Sequence, residues 1–259
     1  MKPHKAPAAL LLGLALLLPF RAQGAGLNIV AGTEMIADIA RDLLGADAQI
    51  LSLVPASSCP GHHDVRPADI AFISKADVVI LHEWQRRQKP IADSVLAAGN
   101  PKAPVFVGPT QSWLIPENQI AASRHLAALF SAMPGVDKRR VEAKRAKREG
   151  DIAEAMAALE KTLAPYAGSP VMVSFMQADF VRRLGMNVVA DYGRAEDISP
   201  GALMRLAAEG KKAGVLVVVD NLQSGAEAGL PLAGEIGAAH VAFSNFPLFV
   251  QEAPDYETL

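Results

Sequence analysis

Apolar residues along this chain follow two alternating patterns, and the alternation predicts the architecture. Leu27–Ala31 is a short apolar run with β-branched residues, the pattern of a strand. Over Glu34–Leu44 the positions Met35, Ile36, Ile39, Leu43 and Leu44 fall on one helical side. Thr33 is placed to cap that helix and Gly45 to stop it. Residues 49–54, 78–81 and 105–107 read as further strands, and 67–76 as a helix opened by Pro67. Strands alternating with helices, without hairpin signals, predict a parallel sheet covered by helices.

The pattern changes between Pro116 and Tyr166, where nearly every residue favours helix. Breaks are expected at Pro134–Gly135 and at Gly150. Ile152, Met156, Leu159, Leu163 and Tyr166 recur at intervals of three and four, which predicts a packed stripe. Alternation then restarts, with strands over 171–173, 187–190, 215–219 and 241–243. Helices are expected over 178–184, from the Ser199–Pro200 cap to Glu209, and around 230–236. The expected fold is α/β: two parallel-sheet lobes joined by a long linking helix, with a ligand cleft between the lobes. The boundaries expected are 25–133 for the first lobe, 134–168 for the linking helix and 169–259 for the second lobe.

The first residues bear on compartment. Lys2, His4 and Lys5 precede an apolar run over 8–18. Pro19 and Phe20 close it, and small residues follow at Ala22, Gly24 and Ala25. This is the layout of a secretory signal peptide over residues 1–24, and the run falls short of the about 20 residues that span a bilayer. The mature protein is expected to be soluble and periplasmic or otherwise extracytoplasmic. Cys59 is the single cysteine, so no intrachain disulfide can form. Removing Lys2, Lys5 and Arg21 changes 25 basic against 27 acidic residues to 22 against 27. That mild acidity argues against nucleic acid as a partner.

Four constellations could carry chemistry. Cys59-Pro60-Gly61-His62-His63-Asp64 lies on a loop after the second strand and offers two imidazoles, a carboxylate and a thiol, donors suited to transition metals. Adjacent histidines point apart, so at most one of the pair is expected to ligate directly; a merely polar loop is the alternative. His82-Glu83-Trp84 ends the third strand, where a crevice would lie. Asp220-Asn221-Leu222-Gln223 and Ser244-Asn245 end strands of the second lobe, and capping of turns is the alternative for both. The basic run Lys138, Arg139, Arg140, Lys144, Arg145, Lys147 and Arg148 is expected to form a solvated helix face. His125 and His240 are expected to be structural. Phosphate loops, nucleophile elbows and paired histidines on one helical turn are missing from the sequence, so an enzyme is not expected.

The order of these pieces resembles the metal-binding substrate-capture proteins of zinc and manganese ABC importers. The likeness is carried by Leu27 to Thr33, by Leu53-Val54-Pro55, by Pro67-Ala68-Asp69-Ile70 and by Lys75 to Val79. It continues in Trp113 to Asn118, Leu184-Gly185 and Ser199-Pro200. The resemblance implies two lobes about a stiff helix, with a metal ion, zinc or manganese, held between them. Position by position, it implies ligands on or beside His62, at Gln111, at about Ser174 and at about Asn245. Gln111, Ser174 and Asn245 are weak donors, so a site rebuilt around His62 with His63, Asp64, Cys59 or His82 is favoured. A chelated metal, or loss of metal binding, is the other reading. The resemblance further implies delivery to an ABC permease by a monomer. Residues 255–259 look like the start of a closing helix that continues further in relatives. A metal-dependent hydrolase using His62-His63-Asp64, or an interaction protein with a degenerate crevice, would be the competing functions.

Overall fold

A computed structural model describes residues 26–108, 112–247 and Asp255. The expected signal peptide lies outside the described residues, as do Gln111 and residues 256–259. Two four-stranded sheets, parallel throughout, form the frame. The first has the order β2-β1-β3-β4, from β1 (Leu27–Ala31), β2 (Ala48–Ser52), β3 (Val78–His82) and β4 (Val105–Val107). The second has the equivalent order β6-β5-β7-β8, from β5 (Pro170–Ser174), β6 (Asn187–Tyr192), β7 (Val217–Asn221) and β8 (Ala239–Phe243).

Central strands are buried on both faces, which explains their unbroken apolar runs. All five residues of β3, Val78 to His82, are buried. Helix α1 (Glu34–Leu44) covers one face of the first sheet, with α4 (Pro116–Ser131) and α5 (Lys138–Leu163) beyond it. Ile36, Ile39, Leu126, Phe130 and Val141 form their common core. Helices α2 (Pro67–Ile73) and α3 (Lys89–Ala97) cover the other face through Ile73, Ile91 and Val95. In the second lobe α6 (Ala178–Arg183) packs on one face, and α7 (Pro200–Ala213) and α9 (Leu230–Ile236) on the other. The short α8 (Leu222–Gly225) follows β7.

The linking helix is α5, 26 residues long. It begins after the expected break at Pro134–Gly135, where the Asp137 side chain accepts from the backbone N–H of Arg139 and Arg140. Gly150 does not interrupt it, because its neighbours supply enough helix-forming residues to offset the cost of about 1 kcal/mol for one glycine. The expected stripe is buried at Ile152 and Met156 but fades at Leu159 and Leu163, and Tyr166 is 58% exposed beyond the helix end. The basic face also differs from expectation at one residue. Arg148 is buried and donates to Asp38 at 2.7 Å and to Gln119 at 3.3 Å, tying α5 to α1 and α4. Burial pushes the Asp38 carboxyl above its ordinary range against the pull of Arg148. Around it, Arg140 with Asp47, Lys144 with Asp42, and Arg124 and Arg145 with Glu149 form a rim of ion pairs.

Contacts between the lobes are specific. Arg183 on α6 donates to Glu117 on α4 at 2.7 Å and to Glu160 on α5 at 2.6 Å. Gln223 on α8 donates to the carbonyl of Ala56 at 3.0 Å. Phe246, just after β8, is buried in the core of the first lobe. Thus the carboxyl ends of both sheets face a common space.

Candidate functional site

In both sheets the chain reverses its direction of winding between the two central strands. That is where open α/β sheets leave room for a ligand. The first such point lies between β1 and β3. Thr33, after β1, was expected to cap α1, but its hydroxyl makes no cap bond. It meets His82 Nε2, at the end of β3, at 2.7 Å. His82 is held from behind as well: Gln85 Oε1 accepts from its backbone N–H at 2.9 Å, and Gln85 Nε2 donates to the carbonyl of Gly32 at 3.0 Å. A Cβ on Gly32 would collide with the Gln85 amide, which would have to leave its bonds to His82 and Gly32 to make room. Trp84 stacks on the imidazole with centroids 5.1 Å apart, and Trp113 meets it edge-on at 4.2 Å.

These contacts leave one nitrogen free. His82 is 3% exposed, and its Nδ1 is buried without a hydrogen-bond partner. Burial pushes its pKa down to about 3, so the ring is neutral at physiological pH, the form that ligates metals.

The second reversal, between β5 and β7, is built from amides. Gln177 Nε2 donates to Asn221 Oδ1 at 3.1 Å and to Asn245 Oδ1 at 2.8 Å. Gln223 accepts from the backbone N–H of Asn245 at 2.8 Å and donates to Ser244 Oγ at 2.8 Å. Behind them Asp220 is fully buried and saturated. It accepts from Gly229 N–H at 2.9 and 3.0 Å and from the Tyr192 hydroxyl at 2.8 Å, and lies 2.7 Å from His240 Nε2. Burial and the adjacent carboxylate push the Tyr192 phenol well above its ordinary pKa. His240 is structural, as expected.

The two reversals share one cavity of about 480 Å³. Cys59, His82, Trp84 and Gln88 line it from the first lobe, and Phe175, Arg194, Asn221 and Asn245 from the second. Arg194, in the turn after β6, reaches across to the Cys59 loop, with Nη2 3.7 Å from Sγ.

Of the residues singled out in the sequence, Cys59, His82, Trp84, Asn221, Gln223 and Asn245 therefore come together on this cavity. His62 and Asp64 are exposed on the loop beyond Cys59, and His63 is half-buried; none of the three lines the cavity. Ser174 is buried at the end of β5, off the wall. Gln111 lies outside the described residues. Sequence reasoning missed Arg194 and Gln88; their only available signal was position, one after the sixth strand and one a few residues after the third. Among the described residues no three His, Cys, Asp or Glu side chains gather closely enough to hold a metal ion.

Residues 29–258 match the family model described as the zinc-uptake complex component A, periplasmic. The chain belongs to that family, the metal-capturing solute-binding proteins of ABC import systems. Zinc is the metal that the family's description names. No curated protein matches.

Among solved structures, the chain is similar to a ZnuA crystal structure, at 18% identity and a TM-score of 0.75, covering 90% of this chain and 94% of that one. It is also similar to a zinc-bound ZnuA deletion mutant, at 17% and 0.74, covering 90% and 93%. A manganese-bound periplasmic metal-binding protein from Candidatus Liberibacter asiaticus matches at 12% and 0.76, covering 89% and 94%. These three likenesses establish a shared fold.

Proposed function

We propose that the crevice between the two sheets captures the metal cargo, zinc or manganese, with His82 as its anchoring donor. The observation that carries this reading is the unpartnered Nδ1 of His82. It belongs to a neutral imidazole, held by Thr33 and Gln85, whose residue lines a cavity shared by both lobes. A buried polar atom left unsatisfied costs about 1–3 kcal/mol, and a cargo that accepts its lone pair recovers that cost. The Cys59 sulfur and the carboxamides of Asn221 and Asn245 complete the set of donors. His62, His63 and Asp64 stand beside Cys59 and Gly61 and serve as a first-encounter site for incoming metal.

In this reading residues 1–24 direct export, residues 25–133 and 169–259 form the two lobes, and 134–168 the link. The mature protein works as a monomer outside the cytoplasm and hands its cargo to a membrane permease of the ABC type. Its role in this reading is capture and delivery, the role of its family, rather than turnover.

Calorimetric titration of the purified protein with zinc and manganese tests the assignment. His82→Gln should weaken binding at least about 10- to 100-fold, the loss found when even a partner that only supports a metal ligand is removed. Binding that is unchanged in a His82→Gln, Cys59→Ser double variant would place the cargo elsewhere.

A further inference from the structure

The chemistry of the crevice narrows the form in which the metal arrives. A bare divalent ion leaving water needs anionic donors close by. Among the described residues the cavity wall carries one carboxylate, Asp179, whose side chain is 56% exposed and lies 3.4 Å from Arg182. The charged group that reaches into the crevice is instead a cation. Arg194 has no ion-pair partner among the described residues; its Nη2 meets only the Cys59 sulfur, and its Nε is buried with no hydrogen bond. A guanidinium repels a bare cation and matches a carboxylate with two parallel N–H donors.

Size points the same way. A volume of about 480 Å³ falls within the range of about 300–1,000 Å³ found for organic ligands, far larger than one ion needs. Trp84 is stacked along His82, and Phe175 lines the cavity from the second lobe at 46% exposure, so the walls can cover the apolar parts of an organic molecule. Besides Arg194 Nε, two further polar atoms of the lining residues are buried and unpartnered: His82 Nδ1 and Gln88 Oε1. The first can complete a metal's coordination shell, and the second accepts a hydrogen bond that a naked metal ion cannot donate.

Building on the metal-capture reading above, we infer that the crevice takes its metal as a chelate with a small carboxylate-bearing organic ligand, the carboxylate held by Arg194 and the metal by His82. The protein then need not supply the anionic charge, because the chelator brings it. Neutral carboxamides on the second lobe suit the chelator's remaining donors and acceptors. Cys59, beside both, is a further soft donor.

Titration of the purified protein with free zinc, zinc in excess citrate, zinc in excess histidine, and each chelator alone tests the inference. At least one chelate should bind tenfold or more tightly than free zinc. Arg194→Gln should weaken that chelate 10- to 100-fold while free-zinc affinity rises, because a charge that repels a bare cation is gone, with partial recovery of the chelate in Arg194→Lys. Free zinc binding more tightly than both chelates, or chelate affinity indifferent to Arg194→Gln, would overturn the inference and leave metal capture standing. A chelator that binds equally well without zinc would overturn it in favour of an organic-anion site. Failure of free and chelated zinc alike would overturn both readings.

Discussion

Two polar clusters sit at the strand ends of this molecule, and they differ in one respect. The Asp220 cluster of the second lobe is saturated: its carboxylate takes two bonds from Gly229 N–H, one from Tyr192 and one contact with His240. The cluster around His82, Gln88 and Arg194 is buried to a similar depth at its atoms, yet each of the three keeps a polar atom without a partner. Native interiors satisfy almost all of their buried polar groups, and these three unpartnered atoms belong to residues of one cavity wall built by both lobes.

That contrast can be broken at several points. The largest effect belongs to the saturated cluster. Asp220→Ala strands the Tyr192 hydroxyl, the Gly229 N–H and His240 together, and should cost about 3–5 kcal/mol in urea unfolding. Metal affinity of the remaining folded protein should stay near that of the wild type. A variant of ordinary stability would show that Asp220 is not what holds the second lobe.

His82→Gln should show the opposite balance. The loss of cargo affinity, at least about 10- to 100-fold by calorimetry, should exceed the change in unfolding free energy. Equal losses in both would make His82 a structural residue like Asp220.

Acid provides a third, smaller contrast. Burial lowers the folded pKa of His82 to about 3 from the ordinary 6.5. Above pH 6.5 the ring is neutral in both folded and unfolded states and costs nothing. As pH falls from 6.5 towards 3 the unfolded state binds the proton first, so stability is lost at on the order of 1 kcal/mol per pH unit from this group. Comparing pH-dependent unfolding of the wild type with His82→Gln isolates it, and the variant should show the shallower slope.

The smallest effect is expected at Arg183. Its links to Glu117 and Glu160 join the lobes but lie at the surface, with side chains about a third to more than half exposed. Arg183→Ala should cost less than about 1 kcal/mol, and less still at high salt.

Much of the fold was legible in the sequence because its signals are local. Buried parallel strands need unbroken apolar runs, and Val78 to Leu81 and Val217 to Val219 could be little else. Boundaries moved where pairing sets them: β6 runs on to Tyr192, since Ser174 in β5 offers it a partner, a long-range fact. Arg148 was misread as solvated because helical spacing cannot reveal that Asp38 waits on another helix.

The site was legible only in part, for the same reason. Position at a strand end pointed to His82, Asn221, Gln223 and Asn245. Density of donors pointed to His62, His63 and Asp64, whose loop turns outward while Cys59 faces the cavity. Arg194 lies in a turn with no periodicity, and its role depends on contact with a loop 135 residues earlier in the chain. Residue chemistry can be read from sequence, whereas convergence has to be seen.

The most direct test of the crevice as capture site is the zinc anomalous-scattering peak in crystals of the loaded protein. The account predicts that peak inside the cavity, at coordination distance from His82 Nδ1 and between the two sheets. A peak on the outward-facing His62–Asp64 loop, with the cavity empty, would contradict it.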